Sequence, residues 1–336
     1  LSINDLQMKS MTSEMATYDI VSYHTSPFCC IMDMAHLLFF RIEHAFELNE
    51  YFERKLYFAI NEVHMTNYTT AIGEALAALR RKKPIVHNIT NYVTAHECAN
   101  VLLAIGGSPI MASHPGEVQE ITTLSQSLVL NIGTIEEGTA TSMLLAGKQA
   151  NTLQIPIVID PVGAGATLLR RRVATHLPSQ LEVAIIRGNA SEIMALYEIS
   201  YTAGGVDATD ESLPITQAAT AIAKKYNSVV AVTGAVDIIT DGTIVVELHN
   251  GVDLLPMLTG TGCMTTAIVG AFASVVSPMT AAIAGITTMS VAGEIAYSKL
   301  QHGEWIGSFG RYLHDAIGLM TPEMLVEKAR IVVVKE

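Results

Sequence analysis

The stretch TGTGCMTTAIVGAF, Thr259 to Phe272, decides how this chain is read. Gly260 and Gly262 stand two apart and lead straight into a helical run of small residues. Such a turn handles phosphate, because the backbone N–H groups of the turn and of the first helical turn point at one anion. Cys263 stands at its mouth. A site that takes a proton from an alcohol would ordinarily place a carboxylate there, so the thiol needs an explanation.

Working outward, apolar β-branched runs alternate with helical patterns: KPIVHNIT, SPIMAS, SLVLNIG, IPIVIDPVG, LEVAIIRGN and SVVAVTG. Each closes on Gly, Asn, Asp, Ser or Thr. Short buried strands separated by helices indicate an α/β fold with a mainly parallel central sheet flanked by helices on both faces. Ligands of such sheets bind beyond the carboxyl ends of the strands. At those ends Asp160 closes VID before a glycine loop, and Arg187, Asn189 and Glu192 stand in IRGNASEI. Two carboxylates and an arginine suit Mg²⁺ and phosphate. Taken singly, Asp160 also reads as a helix N-cap before Pro161, and Asn189-x-x-Glu192 as a capping box. Thr233, ending VVAVT, adds a hydroxyl where a nucleotide would lie, or is an ordinary strand-to-turn threonine. Neither GAGATL nor GTGCMT has the third glycine of a dinucleotide fingerprint, and a Walker A lysine is missing. Phosphate binding without either motif points to folds that use a late glycine-rich helix start.

Composition agrees with one large globular body: 336 residues, 50% hydrophobic, 15% charged. A net charge of −12 argues against a nucleic-acid partner, which clustered Lys and Arg would bind. The basic cluster Arg80 to Lys83 reads as a solvated helix end. Cys29, Cys30, Cys98 and Cys263 have no metal-ligand spacing, so free thiols in a reducing compartment, the cytoplasm, are expected. From Leu254 to Gly293 there are 40 residues without a charge. Ser277-Pro278 divides them into two helices without flanking Lys or Arg anchors, so central helices of an α/β protein are expected and a membrane is not.

Read together, PIVHNITNYV, ANVLLAIGGSPIMA, LVLNIGT, IPIVIDPVGAGAT, IRGNASEI, VAVTG and TGTGC resemble the hydroxyethylthiazole kinases of the ribokinase-like superfamily, in the right order from Met65 to the C-terminus. The resemblance implies transfer of phosphate from ATP to the hydroxyl of 4-methyl-5-(2-hydroxyethyl)thiazole, in thiamine salvage. It implies a homotrimer with sites between subunits, which would explain the charge-free helices. It also implies that Met111 and Gly260 contact the thiazole, with Asn91 nearby, and that Arg187 and Thr233 contact ATP. Asp160 and Glu192 would organise Mg²⁺. The catalytic turn would be Gly260, Gly262 and Cys263, with Cys263 where most ribokinase-like enzymes have Asp. A thiol at a helix N-terminus can have its pKa lowered, so Cys263 would accept the hydroxyl proton. A kinase for a pyrimidine or pyridoxal alcohol would instead have Asp at position 263. A regulatory protein that had lost catalysis would have lost Asp160 or Glu192.

Residues 1–64 read differently from residues 65–336, the kinase domain. All 24 glycines lie after His64, whereas average usage places about four or five before it. The segment Met34 to Ile60 has helical periodicity, as an extension packed on the main domain would. The sharper reading is a mistaken start: Met65 opens a capped amphipathic helix, and Glu62-Val63 can be encoded as a ribosome-binding sequence just upstream. Protein expressed from Met65 is expected to be fully active and at least as soluble as the full chain. Loss of folding on that truncation, followed by circular dichroism, would defeat the expectation.

Overall fold

The computed structural model describes residues 68–202 and 214–335. The expected N-terminal extension, 1–64, and the Met65 start therefore lie outside the described residues.

All six runs read as strands form strands: β1 (Ile85–Ile89), β2 (Ser108–Ile110), β3 (Ser127–Asn131), β4 (Ile157–Asp160), β5 (Ile185–Asn189) and β6 (Val229–Thr233). They pair in parallel in the order β2-β1-β3-β4-β5-β6. Three further strands continue the sheet antiparallel: β7 (Asp237–Thr240), β8 (Val245–Leu248) and β9 (Ile331–Lys335). The sequence reading missed these three. A signal for the β7–β8 hairpin was there, in Asp241-Gly242 between apolar runs, and Gly242 takes φ +95° in that turn.

Helices cover both faces. Their order is α1 (68–82), α2 (Ala95–Ile105), α3 (Val118–Leu124), α4 (Glu137–Thr152), α5 (Leu168–Gln180), α6 (Ala190–Thr202), α7 (Ile215–Tyr226), α8 (Thr261–Ala273), α9 (Pro278–Ser298), α10 (Ile306–Leu319) and α11 (Pro322–Lys328). Successive strand side chains point to opposite faces, and the two cores obey that alternation. Val129, Val158, Ile185 and Ala231 join the core of α1, α2, α8, α9 and α10, while Leu128, Leu130, Ile159, Ile186 and Val232 join that of α4, α5 and α7.

The uncharged stretch forms α8 and α9, divided at Ser277-Pro278 as expected. Helix α9 is long and apolar enough to cross a membrane, but most of it is buried within this chain. Packing inside one chain thus accounts for the missing charges, and no subunit contact is needed to explain them. Close approach depends on glycine: a Cβ at Gly270 would stand 2.4 Å from Val129 Cγ2, and one at Gly285 would stand 2.9 Å from Val269 Cα. Arg80 is not the solvated helix end expected from sequence. Its guanidinium donates to the Ile105, Ile317 and Gly318 carbonyls, tying α1 to the ends of α2 and α10.

Gly285→Ala is expected to lower stability by about 1–3 kcal/mol, because a backbone atom cannot give way as a side chain would. Gly307→Ala, with open space around its Cβ position, should leave the melting temperature unchanged or raised. Equal melting temperatures for the two variants would refute the packing argument.

Candidate active site

The parity of the strands assembles the site. Asn131, Asp160, Arg187 and Thr233 each lie two residues beyond a side chain of the α8–α9 core, so all four emerge on the face that α8 covers. Asn131 and Asp160 are register partners at the ends of β3 and β4, as are Asn189 and Thr233 at the ends of β5 and β6. The chain leaves β1 toward β2 on one side and returns to β3 on the other, which opens a crevice at the carboxyl ends of β1 and β3. Asn91, just past β1, and Asn131 meet there.

Helix α8 begins at this edge. Gly260 is its N-cap with φ +93°, and no side chain caps it, so the first-turn N–H groups lack partners within the helix. A Cβ at Gly260 would stand 2.8 Å from Thr94 Cγ2, and one at Gly262 2.8 Å from Arg187 Nη1. Glycine at 262 is therefore what lets the guanidinium lie against the helix start. Cys263 Sγ accepts hydrogen bonds from Asn91 Nδ2 (3.3 Å) and Asn131 Nδ2 (3.2 Å). Burial and the nearby Asp160 carboxylate push its pKa up, against the donors on Thr94, Asn131 and Asn91. The lowered thiol pKa expected at a helix N-terminus is thus corrected: desolvation outweighs the favourable donors.

Asp160 is not a helix N-cap, since the following helix starts at Leu168 with Thr167 as its cap. Its Oδ2 accepts from Thr266 Oγ1 (2.7 Å) and Asn131 Nδ2 (3.0 Å) and lies 3.7 Å from Arg187 Nη1. Its Oδ1 is buried without a hydrogen-bond partner, and so is Arg187 Nε. Burial pushes the Asp160 carboxyl up to about 6, against the pull of Arg187 and with a small push from Glu192. Arg187 Nη2 donates to Thr233 Oγ1, which fixes the guanidinium across the strand ends.

The capping-box reading of Glu192 is correct as geometry. Asn189 N donates to Glu192 Oε2 (2.8 Å), and Glu192 N to Asn189 Oδ1 (2.9 Å). The other oxygen, Oε1, accepts from Gly163 N (2.9 Å), so the carboxylate also ties down the glycine loop after Asp160. Arg170 braces the same region, donating to the Ile132, Gly133 and Val162 carbonyls.

Asp160, Arg187, Glu192, Thr233, Gly260, Gly262 and Cys263 line one cavity of about 600 Å³. Asn91 is buried behind it, against Cys263. Met111 is half-buried against the α8–α9 core and does not line the cavity. His87 holds that neighbourhood, with Nε2 donating to the Ala112 carbonyl (2.9 Å). Its burial lowers its pKa, against the Ala112 carbonyl and Glu117. A groove of about 670 Å³ between Glu97, Leu258 and Arg311 holds none of the strand-end groups. Sequence reasoning missed Asn131, Thr266 and Asp237. Asp237 lines the cavity, accepts from Gly234 N (3.0 Å), and is pushed up to about 6 by burial.

Residues 76–323 match the hydroxyethylthiazole kinase family. The chain belongs to that family. The hydroxyethylthiazole kinase of Ruminiclostridium cellulolyticum is 46% identical over 271 residues, spanning 80% of this chain and 99% of that protein. The structure of the hydroxyethylthiazole kinase protein of Pyrococcus horikoshii OT3 matches with a TM-score of 0.72 at 38% identity, covering 79% of this chain and 99% of that one. The pyridoxal kinase of Staphylococcus aureus, in complex with AMP-PCP and pyridoxal, shares the fold at a TM-score of 0.52 and 13% identity, covering 75% of this chain and 99% of that one. This member of the hydroxyethylthiazole kinase family has the ribokinase-like α/β fold expected from its sequence.

Asp160→Asn tests the electrostatics. In the native protein Asp160 titrates at about 6, above its ordinary value of 3.8, so the folded state holds its proton more tightly than the unfolded chain does. Its ionisation therefore costs stability progressively as pH rises through that interval. The asparagine variant has no such penalty. Its melting temperature relative to the parent is expected to climb between about pH 4 and about pH 7 and to level off above. A difference independent of pH would show that the carboxylate is not strained by burial.

Proposed function

We propose that this chain transfers the γ-phosphoryl group of ATP to the hydroxyl of 4-methyl-5-(2-hydroxyethyl)thiazole, giving ADP and the thiazole monophosphate for thiamine synthesis. One observation carries the reading: a thiol, a guanidinium and a buried carboxylate converge on an uncapped helix start at the carboxyl edge of the sheet. The first-turn N–H groups and the positive end of the helix dipole receive phosphate oxygens. Arg187 adds a fixed positive charge beside Gly262, and Thr233 keeps it in place while lining the ATP end of the cavity.

The donor set fits Mg²⁺. That ion takes one or two carboxylates together with phosphate oxygens and water, and Asp160 Oδ1 is a buried carboxylate oxygen without a partner. Asp160 would hold it directly. Glu192, with one backbone N–H on each oxygen, would hold it through its remaining lone pairs or through water. When bound, the ion neutralises charge on the transferring phosphate.

Cys263 receives the hydroxyl proton. As the substrate oxygen bonds to the γ-phosphorus and the bond from that phosphorus to the ADP oxygen breaks, the proton passes to Sγ of the thiolate form, which leaves a neutral thiol. A modest base suffices, because phosphoryl transfer through a loose transition state depends on positioning and charge neutralisation more than on early deprotonation. Gly260 and Met111 contact the thiazole, with Asn91 behind. Met111 lies off the cavity of its own chain, which supports a homotrimer whose sites are completed between subunits. The acidic balance and the free thiols Cys98 and Cys263 support a cytoplasmic enzyme without nucleic-acid or membrane partners.

ADP release measured on a panel of alcohols tests the substrate: the thiazole should be preferred over pyrimidine and pyridoxal alcohols. Cys263→Ala is expected to reduce turnover about 10- to 100-fold without abolishing it, since the backbone donors remain. Cys263→Asp should retain or restore turnover. Burial raises the parent thiol, so its turnover should rise with pH through the alkaline range, and in the Asp variant the rise should come at lower pH. A dead Asp variant together with a phosphorylated Cys263 in the parent would make the cysteine a nucleophile instead.

A further inference from the structure

We propose that Asn131 is a positioning residue of the phosphoryl transfer, its one amide fixing both the Cys263 sulfur and the Asp160 carboxylate in place. The inference rests on the reading of Cys263 as proton acceptor. Asn131 ends β3 directly opposite Asp160 in the parallel register. Its Nδ2 donates to Asp160 Oδ2 (3.0 Å) and to Cys263 Sγ (3.2 Å). Its Oδ1 accepts from Asn91 Nδ2 (3.0 Å) and Gly133 N (2.9 Å). Two hydrogens and two lone pairs are the full capacity of a carboxamide, and all are used. The orientation is also determined. A flipped amide would set its oxygen against a carboxylate and its N–H groups against two donors.

Asn91 is saturated in the same way. Its Oδ1 accepts from Thr94 N (3.1 Å) and Thr94 Oγ1 (3.0 Å), and its Nδ2 donates to Asn131 Oδ1 and Cys263 Sγ. The sulfur therefore receives two N–H donors from one side. A thiol hydrogen cannot point at either amide, and in the neutral thiol the two donors occupy both lone pairs; only the thiolate has a third lone pair free. As a thiolate, the same sulfur keeps both donors. The pair thus favours the charged form while leaving the reacting face of the sulfur open. Because Gly133 N–H and the Arg170-braced loop hold Asn131 from behind, the distance between the phosphate-side carboxylate and the proton acceptor is set by one rigid group.

The test reads the sulfur itself. Cys263 alkylation by iodoacetamide is followed against pH in the full chain, with each cysteine resolved by peptide mass spectrometry. The titratable and charged groups around the sulfur are Asp160 from β4, Arg187 from β5 and Cys98 from α2. Asn131→Ala removes one N–H donor, and Asn131→Asp replaces the amide with a carboxyl of the same shape, which shares a proton with Asp160 and offers the sulfur no N–H. The alkylation midpoint is expected to rise by about one pH unit in the Ala variant and further in the Asp variant. A merely structural role predicts the opposite direction: a loosened site admits water, and a thiol raised by burial then falls back toward its ordinary value. Turnover should fall by about 10- to 100-fold with the KM for ATP nearly unchanged, and this penalty should shrink when Cys263→Ala is already present. A midpoint that is unchanged or lower in the Asp variant, or an equal penalty with and without Cys263, overturns the proposal. If Asn131→Ala does not fold, the isosteric Asp variant carries the test. Alkylation needs no substrate, so an error in the assigned alcohol would leave this result intact.

Discussion

The structure depends on the packing of one uncharged helix. Helix α8 is buried along nearly its whole length, so every side it presents must meet apolar atoms at close range. Gly270 brings it onto Val129 of the sheet, and Gly285 brings α9 onto Val269 behind it. These contacts fix the helix along its axis as well as across it. Its N-terminus accordingly stops at the carboxyl edge of the sheet, where strand parity has already gathered Asn131, Asp160, Arg187 and Thr233. A helix start is a binding site for an anion wherever it lies; here the core decides what it faces.

What gathers at that edge is costly to fold. Asp160 and Asp237 are both displaced upward by burial, Arg187 is nearly buried, and Asp160 Oδ1 and Arg187 Nε have no partner inside the chain. Unsatisfied buried polar atoms cost about 1–3 kcal/mol each, and on the function proposed above a ligand in the cavity would supply the missing partners of these two. The hydrogen bonds around them serve to hold position. Glu192 closes a capping box with one oxygen and pins Gly163 with the other, which makes a helix cap and a loop clamp of a single carboxylate. The capping and functional readings of Glu192 are therefore compatible: a cap is a rigid way to mount a carboxylate at a strand end.

Much of this was legible in the sequence. Six parallel strands were marked by apolar runs ending in polar residues, and the late glycine turn located the helix start. What was hidden follows from the kind of information involved. The antiparallel strands β7 and β8 are only 4 residues each, too short for periodicity to declare. Asn131 was visible as the end of a strand, but its partners are 29, 40 and 132 residues away, and only strand order brings them together. The direction of the Cys263 shift depended on depth, which a helix-start motif does not encode. Arg80 misled for the converse reason: three neighbouring basic residues made it look solvated, while the ends of α2 and α10 needed a donor.

The thiol at position 263 can now be weighed against the carboxylate expected of such a fold. Asp160 already sits in a fully buried place, and Glu192 close by adds to the repulsion. A second permanent carboxylate on the first turn of α8 would face that charge, and like charges sharing a buried site resist ionising together. A thiol is mostly neutral at rest, and only its thiolate fraction, which grows with pH, can accept a proton. Two amide donors from Asn91 and Asn131 are already aimed at the charge it would carry. The cysteine therefore gives up base strength near neutrality and in return relieves the electrostatic load on Asp160. On the function proposed above the exchange is tolerable, because the helix start and Arg187 would supply positive potential for the phosphate and leave the proton acceptor only a small part of the barrier to lower.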